Sequence, residues 1–165
     1  MPLGYQATGD VTKIRSSGGL IRTERQLLKG IVVRAIAELQ ISAFLLNKPG
    51  VVAHICGKLT ERGVNIRAFT VLDTADVGTI RMIVDNLELA QDVLRHDGAA
   101  YVENPVICVP IPNKPGSFAK IAQTMAENDV NIEYVYATVM PGTENTLGVF
   151  RVSDHKRALE LEFEV

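Results

Sequence analysis

Asn47-Lys48-Pro49-Gly50, followed thirteen residues later by Val64-Asn65-Ile66, is a pattern the chain writes twice. Asn113-Lys114-Pro115-Gly116 returns at an offset of 66 residues, and Val130-Asn131-Ile132 follows at the same spacing. Ala53 and Ala119, Ile55 and Ile121, and Glu61 and Glu127 also match at that offset. An ungapped repeat of this length is a small folded module rather than a solenoid turn. Two modules of this size need each other's surface to bury enough apolar area.

Working outward from the first copy, Leu39 to Leu46 is a nearly continuous apolar run and reads as a buried strand. Pro49 fixes the φ angle a helix start needs and has no amide hydrogen to leave unpaired. The helix that follows runs to about Arg62 and turns Val52, Ile55, Cys56 and Leu59 inward; Gly63 stops it. Asn65 to Asp73 and Thr79 to Asp85 form a hairpin, Leu87 to His96 a second helix, and Ala99 to Glu103 a fourth strand. The order is βαββαβ. The second copy repeats it, with a strand at Val106 to Ile111. A helix from Ser117 to Asn128 turns Phe118, Ile121, Ala122 and Met125 inward. A hairpin of Asn131–Met140 and Leu147–Ser153 follows, its turn about two residues longer. From Ser153 only 12 residues remain. A one-turn helix at Asp154–Ala158 and a strand alternating through Leu159, Leu161, Phe163 and Val165 end the chain, with Glu160, Glu162 and Glu164 on the wet face.

The expected fold class is therefore α+β: two ferredoxin-like βαββαβ sandwiches in tandem, each an antiparallel sheet with helices on one face. Module one covers 39–104 and module two 105–165, with a shortened end. Residues 1–38 form an N-terminal arm, rich in Gly, Ser and Thr up to Gly19. Thr23-Glu24-Arg25-Gln26 reads as a capping box, and Leu27, Leu28, Ile31 and Ala35 follow at helical spacing, so the arm carries an expected helix over 23–36.

Composition narrows the function. The 165 residues are 47% apolar and 22% charged, ordinary for a globular protein, and the net charge is -2. That balance provides no electrostatic footprint for nucleic acid. RNA-recognition domains share the topology but need a basic surface and exposed aromatics, and Tyr134 and Tyr136 occur in only one copy. There is no apolar run long enough to span a membrane and no signal-peptide order, so a cytoplasmic protein is expected. Cys56 and Cys108 read as reduced core thiols. His54, His96 and His155 are scattered without ligand partners, so no metal is expected. Ser153, Asp154 and His155 are chain neighbours, and no nucleophile elbow or cofactor loop is present; the chain reads as a non-enzyme without cofactor. Arg67, Phe69 and Val71 are placed on one strand face, with Arg81 joining from the next strand; that face is too apolar to stay wet and points to sheet-to-sheet association.

Function then rests on the repeated turn. Gly50 and Gly116 sit at helix N-termini, where unpaired amide N–H groups suit a carboxylate. A carboxamide offers both donor and acceptor. Asn65 and Asn131 begin the second strands and are expected to return near Asn47 and Asn113. The candidate ligand site is Asn47, Gly50 and Asn65, repeated as Asn113, Gly116 and Asn131, and its chemistry fits a zwitterion. Asn-Lys-Pro-Gly is also a sound turn on chemical grounds alone.

The strand, the Asn-Lys-Pro-Gly turn, the amphipathic helix and Val-Asn-Ile together resemble the ACT domain over residues 39–165, and the whole is similar to stand-alone proteins made of two ACT domains. The resemblance implies an amino-acid effector held at the turn and at the start of the second strand, across domain–domain interfaces. It further implies a homodimer and an amino-acid biosynthetic enzyme as regulated partner. Serine-binding members have Asn at the positions of Asn47 and Asn65 and a His two residues before the first. Here those positions hold Leu45 and Ile111, so the resemblance does not imply serine, and a more apolar amino acid fits at least as well. The alternative is an assembly module that acts through a partner protein without a ligand of its own.

Overall fold

The computed structural model describes residues 31–72, 77–138 and 145–165. In chain order the elements are β1 (Val32–Arg34), β2 (Ile36–Leu46), α1 (Val51–Glu61), β3 (Ile66–Leu72), β4 (Val77–Val84), α2 (Leu87–His96), β5 (Ala100–Pro112), α3 (Ser117–Glu127), β6 (Ile132–Thr138), β7 (Asn145–Val152), α4 (His155–Glu160) and β8 (Glu162–Glu164). The fold is the α+β arrangement expected, with antiparallel pairing throughout. Six strands share one sheet in the order β3-β4-β2-β5-β7-β6, and β1 pairs with β8 in a separate two-stranded ribbon.

The helices begin and end where local chemistry sets them. Gly50 and Gly116 are the N-caps of α1 and α3 at φ 89° and 90°, a left-handed conformation that costs other residues energy. After α1, Gly63 at φ 70° turns the chain so that Val64 N–H bonds the Leu59 carbonyl at 3.0 Å. In the second copy Asp129 takes that role at φ 56°, and Val130 N–H reaches the Met125 carbonyl at 2.9 Å. Asp is among the few side chains that tolerate this region. Asn86 caps α2 by accepting from Leu89 N–H at 3.0 Å, and Asp154 caps α4 by accepting from Arg157 N–H at 2.9 Å.

The two modules keep separate helix-side cores. Ile41, Ile55, Leu59, Met82 and Leu94 anchor the first; Ile107, Ile121, Met125, Phe150 and Phe163 anchor the second. A third cluster of Ala68, Ile83, Val106, Cys108 and Val149 fills the helix-free face, where the sheet coils until its edge strands β3 and β6 touch. The strand face that packs across the sheet is thus that of Ala68 and Ile83, not the expected face of Phe69 and Val71, of which Val71 is exposed.

The join between the modules differs from the expectation. Ala99–Glu103 and Val106–Ile111 are not two strands: β5 runs unbroken through 104 and 105 and serves both modules. Pro105 is tolerated because its backbone nitrogen and carbonyl point away from β2, on the side where pairing with β7 begins only at Ile107 and Arg151 bonds the carbonyl, and the pairing of β2 with β5 continues on either side of it. Leu39 and Pro105 are equivalent positions of the repeat, so this pair lies on a pseudo-twofold axis relating the modules. The register confirms it: Ile41 pairs with Glu103 and Ala37, its symmetry counterpart, with Ile107.

The arm is the second correction. Residues 32–34 are a strand and β2 already begins at Ile36, so the C-terminal part of the expected 23–36 helix is extended chain; residues 23–30 lie outside the described residues. The reason is at the other end of the sequence. After β7 the chain forms α4 and then β8, which stands outside the six-stranded sheet; residues 36–38 of β2 lie beside 106–108 of β5, and β1 continues past them. The short β8 pairs with β1, Phe163 facing Val33, and Ile31 and Val165 exchange backbone hydrogen bonds of 3.0 and 2.9 Å. Phe163 and Val165 are completely buried. The one-turn helix and final strand at the C-terminus are present, with Glu160, Glu162 and Glu164 exposed.

Smaller departures follow from local geometry. A bulge between Ile66 and Ala68 shifts the alternation of β3, so Phe69 packs under the helices while Ala68 enters the helix-free core and Arg67 ion-pairs with Glu38 at 2.6 Å. Cys108 is buried but Cys56 is only half-buried, and Phe118 is 42% exposed rather than inward.

Candidate functional site

The two turns stand far apart. Asn47 follows the end of β2, eight residues from the axis in one direction, and Asn113 follows the end of β5, eight residues away in the other. Asn65 and Asn131 do not return to them. Ile66 opposes Val84 at the end of β4, whereas Leu46 opposes Val77 at its start. Seven residues of strand, about 23 Å at about 3.3 Å per residue, separate the two ends. The same holds for Asn131, whose neighbour Ile132 opposes Val152 while Pro112 opposes Asn145. A helix that leaves the end of one strand and feeds a parallel strand delivers the chain to the opposite end of the sheet. The expectation that each module gathers both of its Asn residues is therefore corrected: each turn and its own second Asn lie at opposite ends.

At each turn the backbone is prepared as expected. Neither Gly50 nor Gly116 has a side chain to cap its helix, and the first amides, Val51 N–H and Ser117 N–H, bond the Lys48 and Lys114 carbonyls at 3.3 Å. All four turn residues of each copy are exposed. Beside the second turn lies a cavity of about 180 Å³ lined by Ile111, Pro112, Asn113, Lys114, Phe118, Ala137 and Thr146. Its lining is mostly apolar, with Asn113 and Thr146 as neutral polar groups and Lys114 as the cation. The exposed Phe118 ring stacks on the buried Phe150 ring, centroids 5.8 Å apart and planes 18° apart. Gly148 makes this packing fit: a Cβ there would stand 2.6 Å from both Ile111 Cδ1 and Phe150 Cε2. The lining residues could have been found from the sequence only by carrying the strand register across from β5 to β7 and β6.

Asn65 and Asn131 hold local structure at the waist. Asn65 N–H donates to Asp85 Oδ1 at 2.9 Å, and Asn131 N–H donates to Ser153 Oγ at 2.9 Å. Near them is a cleft of about 400 Å³ lined by Ala37, Glu38, Leu39, Arg67, Val84, Asp85, Leu87, Pro105 and His155.

The helix-free face carries a buried polar network that sequence patterning did not reveal. Gln40 is completely buried in β2. Its amide donates to Ser42 Oγ at 2.9 Å and to the Tyr134 hydroxyl at 2.8 Å, and its carbonyl accepts from the Tyr136 hydroxyl at 3.1 Å. Arg81 lies 3.7 Å over the Tyr134 ring. Tyr134 and Tyr136 thus serve packing between the modules. Burial pushes the Tyr136 phenol well above its ordinary value and the Cys108 thiol up to about 11. Among the described residues no group of His, Cys, Asp and Glu could hold a metal ion, and no helix is long and apolar enough to cross a membrane.

The comparisons give the same architecture. The chain is similar to the crystal structure of protein BT0572 from Bacteroides thetaiotaomicron, at 28% identity over 76% of this chain and 86% of that one, with a TM-score of 0.71. It shares its fold with the ligand-free regulatory subunit of aspartate kinase from Thermus thermophilus, at 18% identity, 79% and 91% coverage and a TM-score of 0.58. The regulatory subunit from Thermus flavus gives 21%, 79% and 94%, and 0.54. No curated protein matches. A family model described as an ACT domain pair matches residues 36–164, starting at the first residue of β2, which completes both modules. The chain belongs to the ACT-domain family, as a pair of ACT domains.

Proposed function

We propose that this chain is a non-catalytic regulatory protein that binds a small amino acid at its strand–helix turns. The observation that carries the reading is the repeated glycine N-cap: twice, a helix that starts on a left-handed glycine follows an exposed Asn, and in module two an apolar cavity adjoins it. The dipole at a helix N-terminus favours a carboxylate, and the Ile111, Pro112 and Phe118 walls favour an apolar side chain over a hydroxyl. Fold similarity to aspartate kinase regulatory subunits supports a regulatory role and an amino-acid biosynthetic enzyme as partner. Because Asn47 and Asn65 lie at opposite ends of one module, a site that uses both takes them from two chains, which favours a homodimer.

The test is a thermal-shift panel of the twenty amino acids, followed by titration calorimetry. Ligand at about 100 times its dissociation constant adds about 2.7 kcal/mol to the folded state, a rise of several degrees. Asn113→Ala and Asn47→Ala should weaken binding while the protein stays folded. Wild-type binding by both variants and their combination would move the site elsewhere. A flat panel would favour the second reading, an assembly module acting through a partner protein. Phe44, Leu46 and Val102, exposed at 42%, 62% and 46%, give that reading its apolar surface.

A further inference from the structure

The turn site occurs twice by duplication; the waist cleft occurs once, because it lies at the pseudo-twofold axis. Leu39 and Pro105, the self-paired positions, form its floor together with Ala37 and Val84. Leu87 and His155, the first residues of α2 and α4, are equivalent positions and face it from the two modules. The remaining lining is unsymmetrical. Module one contributes Arg67 and Asp85. Their counterparts in module two are spent on each other's neighbourhood: Glu133 pairs with Arg151 at 3.2 Å, Arg151 bonds the Pro105 carbonyl at 2.7 Å, and Ser153 accepts from Asn131.

On the module-one side, polar capacity remains. Arg67 meets Glu38 through one terminal nitrogen, and a guanidinium has five N–H donors. Asp85 accepts the Asn65 N–H with Oδ1 and has a second oxygen. His155 Nε2 lies 3.0 Å from the Val106 carbonyl. A carbonyl only accepts, so Nε2 carries a proton there. Groups of both signs thus converge over an apolar floor in about 400 Å³, within the usual size of small-molecule pockets, roughly 300–1,000 Å³.

We propose that this axial cleft is a ligand site in its own right, separate from the turns, for a small zwitterion with an aliphatic body. The carboxylate goes to Arg67, the ammonium to Asp85, and the body lies on Leu39, Leu87 and Pro105. Such a ligand touches both modules at once, so its binding is tied to their relative placement.

The experiment is a titration of the full chain with L-leucine, read from the backbone amide resonances of Leu39, Arg67, Asp85, Leu87 and His155. Two probes each lack one charge: isoamylamine and 4-methylpentanoate. L-leucine is expected to shift these resonances saturably, with both probes weaker by about tenfold or more. Asp85→Asn keeps the acceptor for Asn65 N–H but loses the charge, and should weaken binding by about tenfold. The Asn47→Ala/Asn113→Ala double variant should leave these shifts in place, which separates this site from the turn sites. No saturable shift at the five residues, equal binding by either single-charge probe, or unchanged binding by Asp85→Asn would each overturn the proposal.

Discussion

Gln40 is where the two modules are tied on the helix-free side, and replacing it by Leu tests how much that tie contributes. The side chain is wholly buried and makes three hydrogen bonds, two of them to the hydroxyls of Tyr134 and Tyr136 in the other module. A buried hydrogen bond contributes about 1 kcal/mol net, and a buried partner left alone costs about 1–3 kcal/mol. Ser42 keeps its bond to Asn104 at 2.9 Å, so the loss falls mainly on the tyrosines. Gln40→Leu should therefore destabilise by about 3 kcal/mol, a large part of a typical 5–15 kcal/mol. Urea unfolding gives the free energy, and the melting point should fall by about 6–12 °C. Tyr136→Phe alone should cost about 1–2 kcal/mol, because it leaves the Gln40 carbonyl without its donor. The decisive measurement is the double variant: its cost should fall short of the sum by about 1 kcal/mol, as expected for groups in one network. Adding Tyr134→Phe removes the last stranded hydroxyl while keeping the ring under Arg81, and should recover further stability. If the single costs add within about 0.3 kcal/mol, the groups act independently and the tie does not exist as described.

Further outcomes follow from other parts of the chain. The Tyr136 phenol and the Cys108 thiol are both raised by burial, so the folded state holds their protons more tightly; stability is fully present below about pH 9 and falls as pH rises, between about 9 and 11 for Cys108 and above about 10 for Tyr136. Urea midpoints measured across that range should show the fall, and Tyr136→Phe should flatten its upper part. Gly148→Ala should destabilise by about 1–3 kcal/mol, because both atoms the new Cβ meets belong to packed side chains. It should also change ligand affinity at the second turn, measured by calorimetry, while leaving the first turn unaltered. Phe163→Ala should cost about 3–5 kcal/mol by urea unfolding, since the ring is wholly buried between β1 and module two.

What the sequence made legible was whatever is local. Periodicity placed the helices of both copies, and the duplicated turn placed Gly50 and Gly116 at their N-termini. The larger misreadings are about which distant segment pairs with which. Leu27 to Ala35 has helical spacing, yet residues 32–34 are a strand because β8 pairs with them. Propensity within the arm could not report a partner about 130 residues away. Likewise, the modules were expected to divide at 104 and 105, but Pro105 faces Leu39 across the axis and β5 continues through it.

The Asn residues teach the same point for the site. Spacing gave Asn47 and Asn65 correctly as the end of one strand and the start of the next, and the error lay in the crossover. A strand–helix–strand connection between parallel strands begins and ends at opposite ends of the sheet, so no single module can close a site on both. Within one chain the axis separates the turns further, to either end of β2 and β5. Duplication therefore produced two turns that face away from each other and one waist that both modules share. Any coupling between the turns within one chain has to pass through that waist, where Gln40 binds the tyrosines on one face and the axial cleft opens near the other. Substitutions at Gln40 should then alter how occupancy of one turn affects the other. A chain in which Gln40→Leu leaves both affinities and their mutual dependence unchanged would show that the two halves bind independently.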